Sequence, residues 1–221
     1  MIQLRKERKA MSKMNLPNKL TVLRLIMVPI FMVVMLLPVF VNFNNETVNT
    51  VLNIVGVLLF IIASLTDMLD GKIARKNNLV TDFGKFMDPL ADKFMVIGAM
   101  LCIFYANSVA GHKAVATLYF VTLIVVIFRE LAVTSIRLVA NSSSGVVIAA
   151  NWMGKVKTVT QIVAVCSAII EPMLWELLGV GGFVETYPPI TFVTTIVTIY
   201  LTIHSGLNYI VGAWKYLDPE K

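Results

Sequence analysis

Charge is scarce in this chain. Of its 221 residues only 14% are Asp, Glu, Lys or Arg, against 57% hydrophobic, where a soluble domain carries roughly a quarter charged residues. A soluble globular protein is therefore excluded. Cysteine is nearly absent as well: Cys102 and Cys166 both fall within apolar runs, where they read as small packing residues rather than a disulfide or metal pair. Internal repeats and low-complexity tracts are missing. The N-terminus has a basic stretch followed by an apolar one, as a signal sequence does, but there is no small-x-small cleavage site. The apolar stretch is also long for a signal core, so it is kept as a membrane span.

What the chain does have is long apolar runs, each long enough to cross a hydrocarbon core at about 20 residues. The pattern predicts about six spans: Leu20 to Val41, Val48 to Ala74, Phe83 to Ala106, Ala114 to Ala140, Trp152 to Leu178, and Pro189 to Trp214. Several exceed one bilayer thickness, so some ends project into the interface or tilt. The expected fold class is all-α, a polytopic membrane protein with one catalytic domain over residues 14–216. A basic extension over 1–13 precedes it and a tail over 217–221 follows.

Sidedness follows from the bases. With the N-terminus inside, Lys113 is the sole Lys or Arg on an outer loop, and the outer segments Asn42 to Thr47 and Gly179 to Thr186 hold Glu46 and Glu185 but no base. The positive-inside rule then puts both termini in the cytoplasm. The formal charge of +6 tracks this sidedness rather than a binding face, so nucleic acid is not an expected partner. The extension, with Arg5-Lys6-Glu7-Arg8-Lys9, reads as a solvated tail drawn to anionic lipid. Pro17 is expected to break the approach to the first span, and Asn141-Ser142-Ser143-Ser144-Gly145 to form a turn between the fourth and fifth.

Against this background stand four aspartates, Asp67, Asp70, Asp88 and Asp92. Carboxylates are costly in or near a bilayer and mark functional sites. Asp70 lies about 8 Å and Asp67 about 12 Å below the cytoplasmic end of the second span, at 1.5 Å rise per residue. Asp88 and Asp92 lie at matching depth on the antiparallel third span. Asp67, Asp70, Gly71 and Ala74 share one stripe of the second helix, and Gly84, Asp88 and Asp92 share one of the third. Facing each other, the stripes form a carboxylate cluster. At about 4 Å and an effective dielectric near 20, each like-charged pair costs about 4 kcal/mol. Divalent cations remove that cost, and all-oxygen ligands favour Mg²⁺ or Mn²⁺. Gly71 and Ala74 either permit tight helix packing or let a ligand approach the ions, and interleaving with aspartates favours the second. Arg75 is placed to hold a phosphate near the surface.

Asp67-x-x-Asp70-Gly71-x-x-Ala74-Arg75, eight residues, then Gly84-x-x-x-Asp88-x-x-x-Asp92 resembles the signature of the CDP-alcohol phosphotransferases at every fixed position. The resemblance implies a six-helix membrane enzyme, usually a homodimer, that displaces CMP from a CDP-linked lipid with an alcohol. It implies Asp67, Asp70 and Asp88 as ligands of two divalent ions and Asp92 as the base activating the acceptor hydroxyl, with Asp92 also touching metal. The same resemblance puts Asn18, Thr21, Gly71, Ala74, Arg75 and Gly84 at the CDP diphosphate.

Asn15-Leu16-Pro17-Asn18-Lys19-Leu20-Thr21-x-x-Arg24, Arg129-Glu130-Leu131 with Arg137, and Gly154-Lys155-Val156-Lys157-Thr158-x-x-Gln161 are similar to segments of bacterial phosphatidylglycerophosphate synthases. Members of that group begin near Met14, which sets residues 1–13 apart as an extension whose translation in the cell is open. Arg129, Arg137, Lys155 and Lys157 form a set suited to an acceptor phosphate; Glu130 reads as an ion-pair partner. A phosphorylated acceptor suits these cations better than serine, and the resemblance names it as sn-glycerol 3-phosphate, with CDP-diacylglycerol as donor and a cytoplasm-facing site in the cell membrane. Another acceptor, such as inositol phosphate or serine, is the close alternative. A divalent-cation transporter is the distant one, since Glu130 is the sole other carboxylate at mid-depth. His204 reads as a hydrogen-bonded helix residue, Asp82 as an N-cap, and Glu171 and Glu176 as residues of the outer end of the fifth span.

Overall fold

The computed structural model describes residues 15–41, 45–76, 81–144 and 152–214, without side chains at 68–76, 85, 141–144 and 185. Helices α1 (Leu16–Val41), α2 (Glu46–Lys76), α3 (Asp82–Ala110), α4 (Lys113–Ser144), α5 (Trp152–Leu177), the single-turn α6 (Phe183–Thr186) and α7 (Pro189–Ala213) follow in order. Among the described residues no strand occurs. Six of these helices are long and apolar enough to cross a membrane, so the chain is an all-α, multi-pass membrane protein.

Helix starts are set by short polar side chains. Asn15 accepts from the backbone N–H of Asn18 at 3.3 Å, Asn45 from that of Thr47 at 3.0 Å, and Thr81 from that of Gly84 at 3.1 Å. Each thereby supplies an acceptor to a first-turn donor that has none within the helix. Two expectations are corrected here. The cap of α3 is Thr81 rather than Asp82, which is instead the first residue of the helix, where a carboxylate complements the positive end of the dipole. Pro17 lies inside the first turn of α1, where a missing N–H costs nothing. A third expectation also fails: α4 continues through Ser144, so 141–144 extend the helix and only Gly145 onward falls outside the described residues. Gly111, at φ +84, makes the reversal between α3 and α4, a conformation that a Cβ would disfavour.

The chain divides into two compact units, Met1–Gly98 and Ala99–Lys221. In the first, α1 packs along α2. Its buried face runs Asn18, Thr21, Arg24, Val28, Phe31, Met35, at helical steps of three and four that are polar at one end and apolar beyond. Phe31 meets Phe60 with ring centroids 5.6 Å apart, and a Cβ on Gly56 would collide with Met35 Sδ.

In the second unit α7 packs against α4 and α5. Its buried stripe is Thr191, Thr195, Thr198, Thr202 and Ser205, hydroxyls where a soluble core would put leucine. Of these, Thr198 bonds across helices, donating to the Thr160 carbonyl at 3.0 Å; nearby, Ser167 and Thr194 share a 2.8 Å bond, and Tyr119 donates to the Ala164 carbonyl at 2.6 Å. In lipid such bonds contribute about 0.6 kcal/mol each, a modest value because the separated helices also find partners for these groups. Large apolar side chains such as Phe86, Phe128 and Val211 face outward, as a bilayer solvent requires. Cys102 is buried, Cys166 half-buried, and neither forms a disulfide. His204 stacks on Tyr200 and its Nε2 lies 3.1 Å from Asn208 Nδ2.

Candidate active site

In the first unit, α1 reaches across to both aspartate-bearing helices. Arg24 is fully buried, at 0% exposure, and its Nη1 donates to Oδ1 of Asp67 at 2.6 Å. One turn earlier the Thr21 hydroxyl donates to Oδ1 of Asp88 at 2.6 Å. A turn before that, Asn18 Oδ1 accepts from Thr81 at 2.9 Å, the same hydroxyl that caps α3. Polar residues at 18, 21 and 24 thus fix, in turn, the start of α3, Asp88 and Asp67. Asp67 and Asp88 lie near enough for their charges to repel, in keeping with the matched depth expected of antiparallel α2 and α3.

Gly84 sits in this corner with little room. A Cβ there would lie 3.2 Å from Asn18 Oδ1, 3.4 Å from Thr81 Oγ1 and 3.6 Å from Asp88 Oδ2. The missing side chain lets Asn18 of α1 approach the start of α3 beside Asp88. Asp92 follows one turn along α3, half-buried, with its Oδ1 out of solvent. Pro89 has no N–H to continue the helical ladder beside Asp88. The side chains of Asp70, Gly71, Ala74 and Arg75 lie outside the described residues, although their backbone completes α2.

A hard divalent cation suits these donors. One oxygen each of Asp67 and Asp88 is engaged by α1, and among the described residues no hydrogen bond reaches the other. The donor set is all oxygen, which magnesium-like ions prefer. Among the described residues no group of three or more Asp, Glu, His or Cys side chains is gathered, so the expected set relies on Asp70.

The second unit holds the basic residues. Glu130 Oε1 accepts from Arg129 Nη1 at 2.9 Å and also from Lys157 Nζ; the three side chains are 14%, 13% and 7% exposed. Arg129 and Lys157 thus share this one carboxylate. Arg129 lies across α7, where a Cβ on Gly206 would come 3.1 Å from its Cγ, and beside it α4 and α7 enclose an apolar cleft of about 300 Å³. Arg137 is exposed, with Nε 3.5 Å from the Tyr209 hydroxyl and its guanidinium carbon 5.9 Å from that ring's centre, a cation–π arrangement. Lys155 is exposed. Of the four bases expected at an acceptor phosphate, the structure therefore pairs Arg129 with Lys157 through Glu130, while Arg137 is engaged by Tyr209.

Two residues were undervalued by the sequence reading. Arg24 figured only as the end of a segment, yet a polar triad opening the buried face of a membrane helix must find polar partners. Glu171, read as a residue of the outer helix end, is 1% exposed. It accepts from the N–H groups of Ile190 and Thr191 at 2.9 and 2.6 Å and from Trp175 Nε1 at 3.1 Å. The signal was Pro188-Pro189, which opens α7 with donors needing an acceptor.

Comparison with known proteins identifies the family. A CDP-diacylglycerol–glycerol-3-phosphate 3-phosphatidyltransferase of Bacillus subtilis (strain 168) is 40% identical over 209 residues, covering 93% of this chain and 98% of that protein. Proteins of the same name from Wigglesworthia glossinidia brevipalpis and Shigella flexneri serotype 5b are each 33% identical, over 93% and 90% of this chain and 98% and 94% of their own lengths. The CDP-alcohol phosphatidyltransferase family pattern matches residues 14–214. The chain belongs to the CDP-alcohol phosphatidyltransferase family, and is a membrane transferase.

Proposed function

We propose that the chain transfers the phosphatidyl group of CDP-diacylglycerol to sn-glycerol 3-phosphate, giving phosphatidylglycerol phosphate and releasing CMP. The observation that carries the reaction class is the pair Asp67 and Asp88, carboxylates of neighbouring helices that are each held through one oxygen by the same helix, α1. The acceptor follows from the names of the relatives, and the paired cations Arg129 and Lys157 are of the type suited to its phosphate.

The family generally uses a divalent metal; in this reading Asp67, Asp70 and Asp88 hold two ions, Mg²⁺ or Mn²⁺, with Asp92 close by. Bound there, the metal neutralises the diphosphate and the charge growing on the departing CMP. The protein does the rest. Gly71, Ala74 and Gly84 leave room for the diphosphate, and Arg75 contacts it. Asn18 and Thr21 act on it indirectly, through Thr81 and Asp88. Arg129 and Lys157 anchor the acceptor phosphate, helped by Arg137 and Lys155. Asp92 accepts the proton of the acceptor hydroxyl as its oxygen bonds to the phosphatidyl phosphorus and the bond from phosphorus to CMP breaks.

This reading takes residues 14–216 as one catalytic domain working as a homodimer in the cell membrane. Both termini and the active site face the cytoplasm, on the strength of the basic-residue asymmetry. The Asp92→Asn variant tests the mechanism. Turnover should fall to near background while Mn²⁺ binding persists; ordinary turnover would remove Asp92 as the base.

A further inference from the structure

We infer that Arg24 is a positioning residue for the metal site, and that α1 serves as the frame that aims its carboxylates. Arg24 and Thr21 stand one helical turn apart on the buried face of α1. Each takes the Oδ1 oxygen of a different aspartate at 2.6 Å, Asp67 on α2 and Asp88 on α3. An aspartate with one oxygen pinned has lost rotation about its last torsion, so the second oxygen points one way. For Asp88 that oxygen lies on the Gly84 side, 3.6 Å from where a Cβ on Gly84 would stand. The inference rests on the reading of Asp67 and Asp88 as metal ligands.

Electrostatics makes the role of Arg24 two-sided. Its charge lies against a ligand and opposes a cation, while its hydrogen bond orders that ligand for the cation. It also offsets the repulsion between Asp67 and Asp88 when no metal is bound, so the helices keep their spacing before metal arrives. Arg24 is fully buried, which restricts its side chain and favours ordering as the dominant effect. Groups that order metal ligands typically contribute 10- to 100-fold in affinity or activity. A lysine can keep the charge but not the planar fork, so the two contributions are separable.

The experiment is Mn²⁺ binding to the purified full-length protein in detergent without substrate, read by electron paramagnetic resonance. Arg24→Met, Arg24→Lys, Thr21→Val, Asp67→Asn and Asp88→Asn are compared with the parent. Ordering by Arg24 predicts Mn²⁺ binding weakened about 10- to 100-fold in Arg24→Met, a smaller loss in Arg24→Lys, and a loss in Thr21→Val. Unchanged or tighter binding in a folded Arg24→Met protein would overturn the inference. If that variant does not fold, Arg24→Lys and Thr21→Val decide, and parental affinity in both would overturn it equally. The aspartate variants separate the two levels. Their failure to weaken Mn²⁺ binding would remove the metal-site reading itself, whereas their loss with Arg24 and Thr21 variants unaffected would remove only the positioning role.

Discussion

Glu171 on α5 accepts a 2.6 Å hydrogen bond from the backbone N–H of Thr191 on α7, and its other oxygen takes the N–H of Ile190 at 2.9 Å. One buried carboxylate thus satisfies two first-turn donors of a helix that opens on two prolines. Glu171→Gln keeps the shape but replaces one acceptor oxygen with an NH₂ that faces a donor. Leaving such a group unsatisfied costs about 1–3 kcal/mol. Thermal unfolding in detergent should show a clearly lower midpoint, with turnover per folded molecule unchanged. A parental midpoint would mean the contact contributes nothing.

Gly84→Ala sets two effects of similar size against each other. Alanine gains up to about 0.8–1.0 kcal/mol of propensity over glycine, a ceiling that applies to a helix interior and is not reached in the first turn, where Gly84 stands. Its Cβ would press on Asn18 Oδ1 at 3.2 Å, displacing the Asn18–Thr81 bond at a cost of about 1 kcal/mol. Stability should therefore barely change while CMP release falls roughly tenfold, the effect of about 1.4 kcal/mol on a barrier. Parental activity would show that the corner tolerates a methyl group and plays no part in turnover.

Glu130 tests the basic cluster. Removing the carboxylate leaves Arg129 and Lys157 as buried charges without their shared counter-ion, and breaking such a pair costs about 3–5 kcal/mol. Glu130→Gln should be strongly destabilised in a denaturation series, and adding Lys157→Met should recover much of the loss while raising the KM for glycerol 3-phosphate. Equal stability of the single and double variants would dissociate Lys157 from Glu130.

The fold was largely legible before any coordinates, since apolar runs longer than a bilayer leave little alternative to helices. Leu16–Val41 and Pro189–Ala213 fall within four residues of their expected bounds at each end. Helix ends were less legible, because capping is a local contest: Thr81 and Asp82 are both good caps, and only the hydrogen bond to Gly84 shows which one serves. Polar residues such as Asn141 to Ser144 read as a turn by composition, yet the helix carries them on for another turn.

Legibility of the site followed a similar division. Asp67 and Asp88 stood out because carboxylates are conspicuous in an apolar chain, and their shared depth follows from helical rise alone. Arg24 was hidden because its partner lies 43 positions away, and periodicity marks the buried face of α1 without naming what it meets. Glu171 was hidden for a related reason: its partners are backbone N–H groups, which no side-chain pattern reveals.

The acceptor series tests the central claim most directly. Purified protein in mixed micelles with CDP-diacylglycerol and Mg²⁺ or Mn²⁺ is given sn-glycerol 3-phosphate, inositol phosphate or serine in turn, and CMP release and the lipid product are measured. The account predicts release with glycerol 3-phosphate, phosphatidylglycerol phosphate as the product, and loss of turnover when the metal is chelated. Release with serine or inositol phosphate, and none with glycerol 3-phosphate, would contradict it.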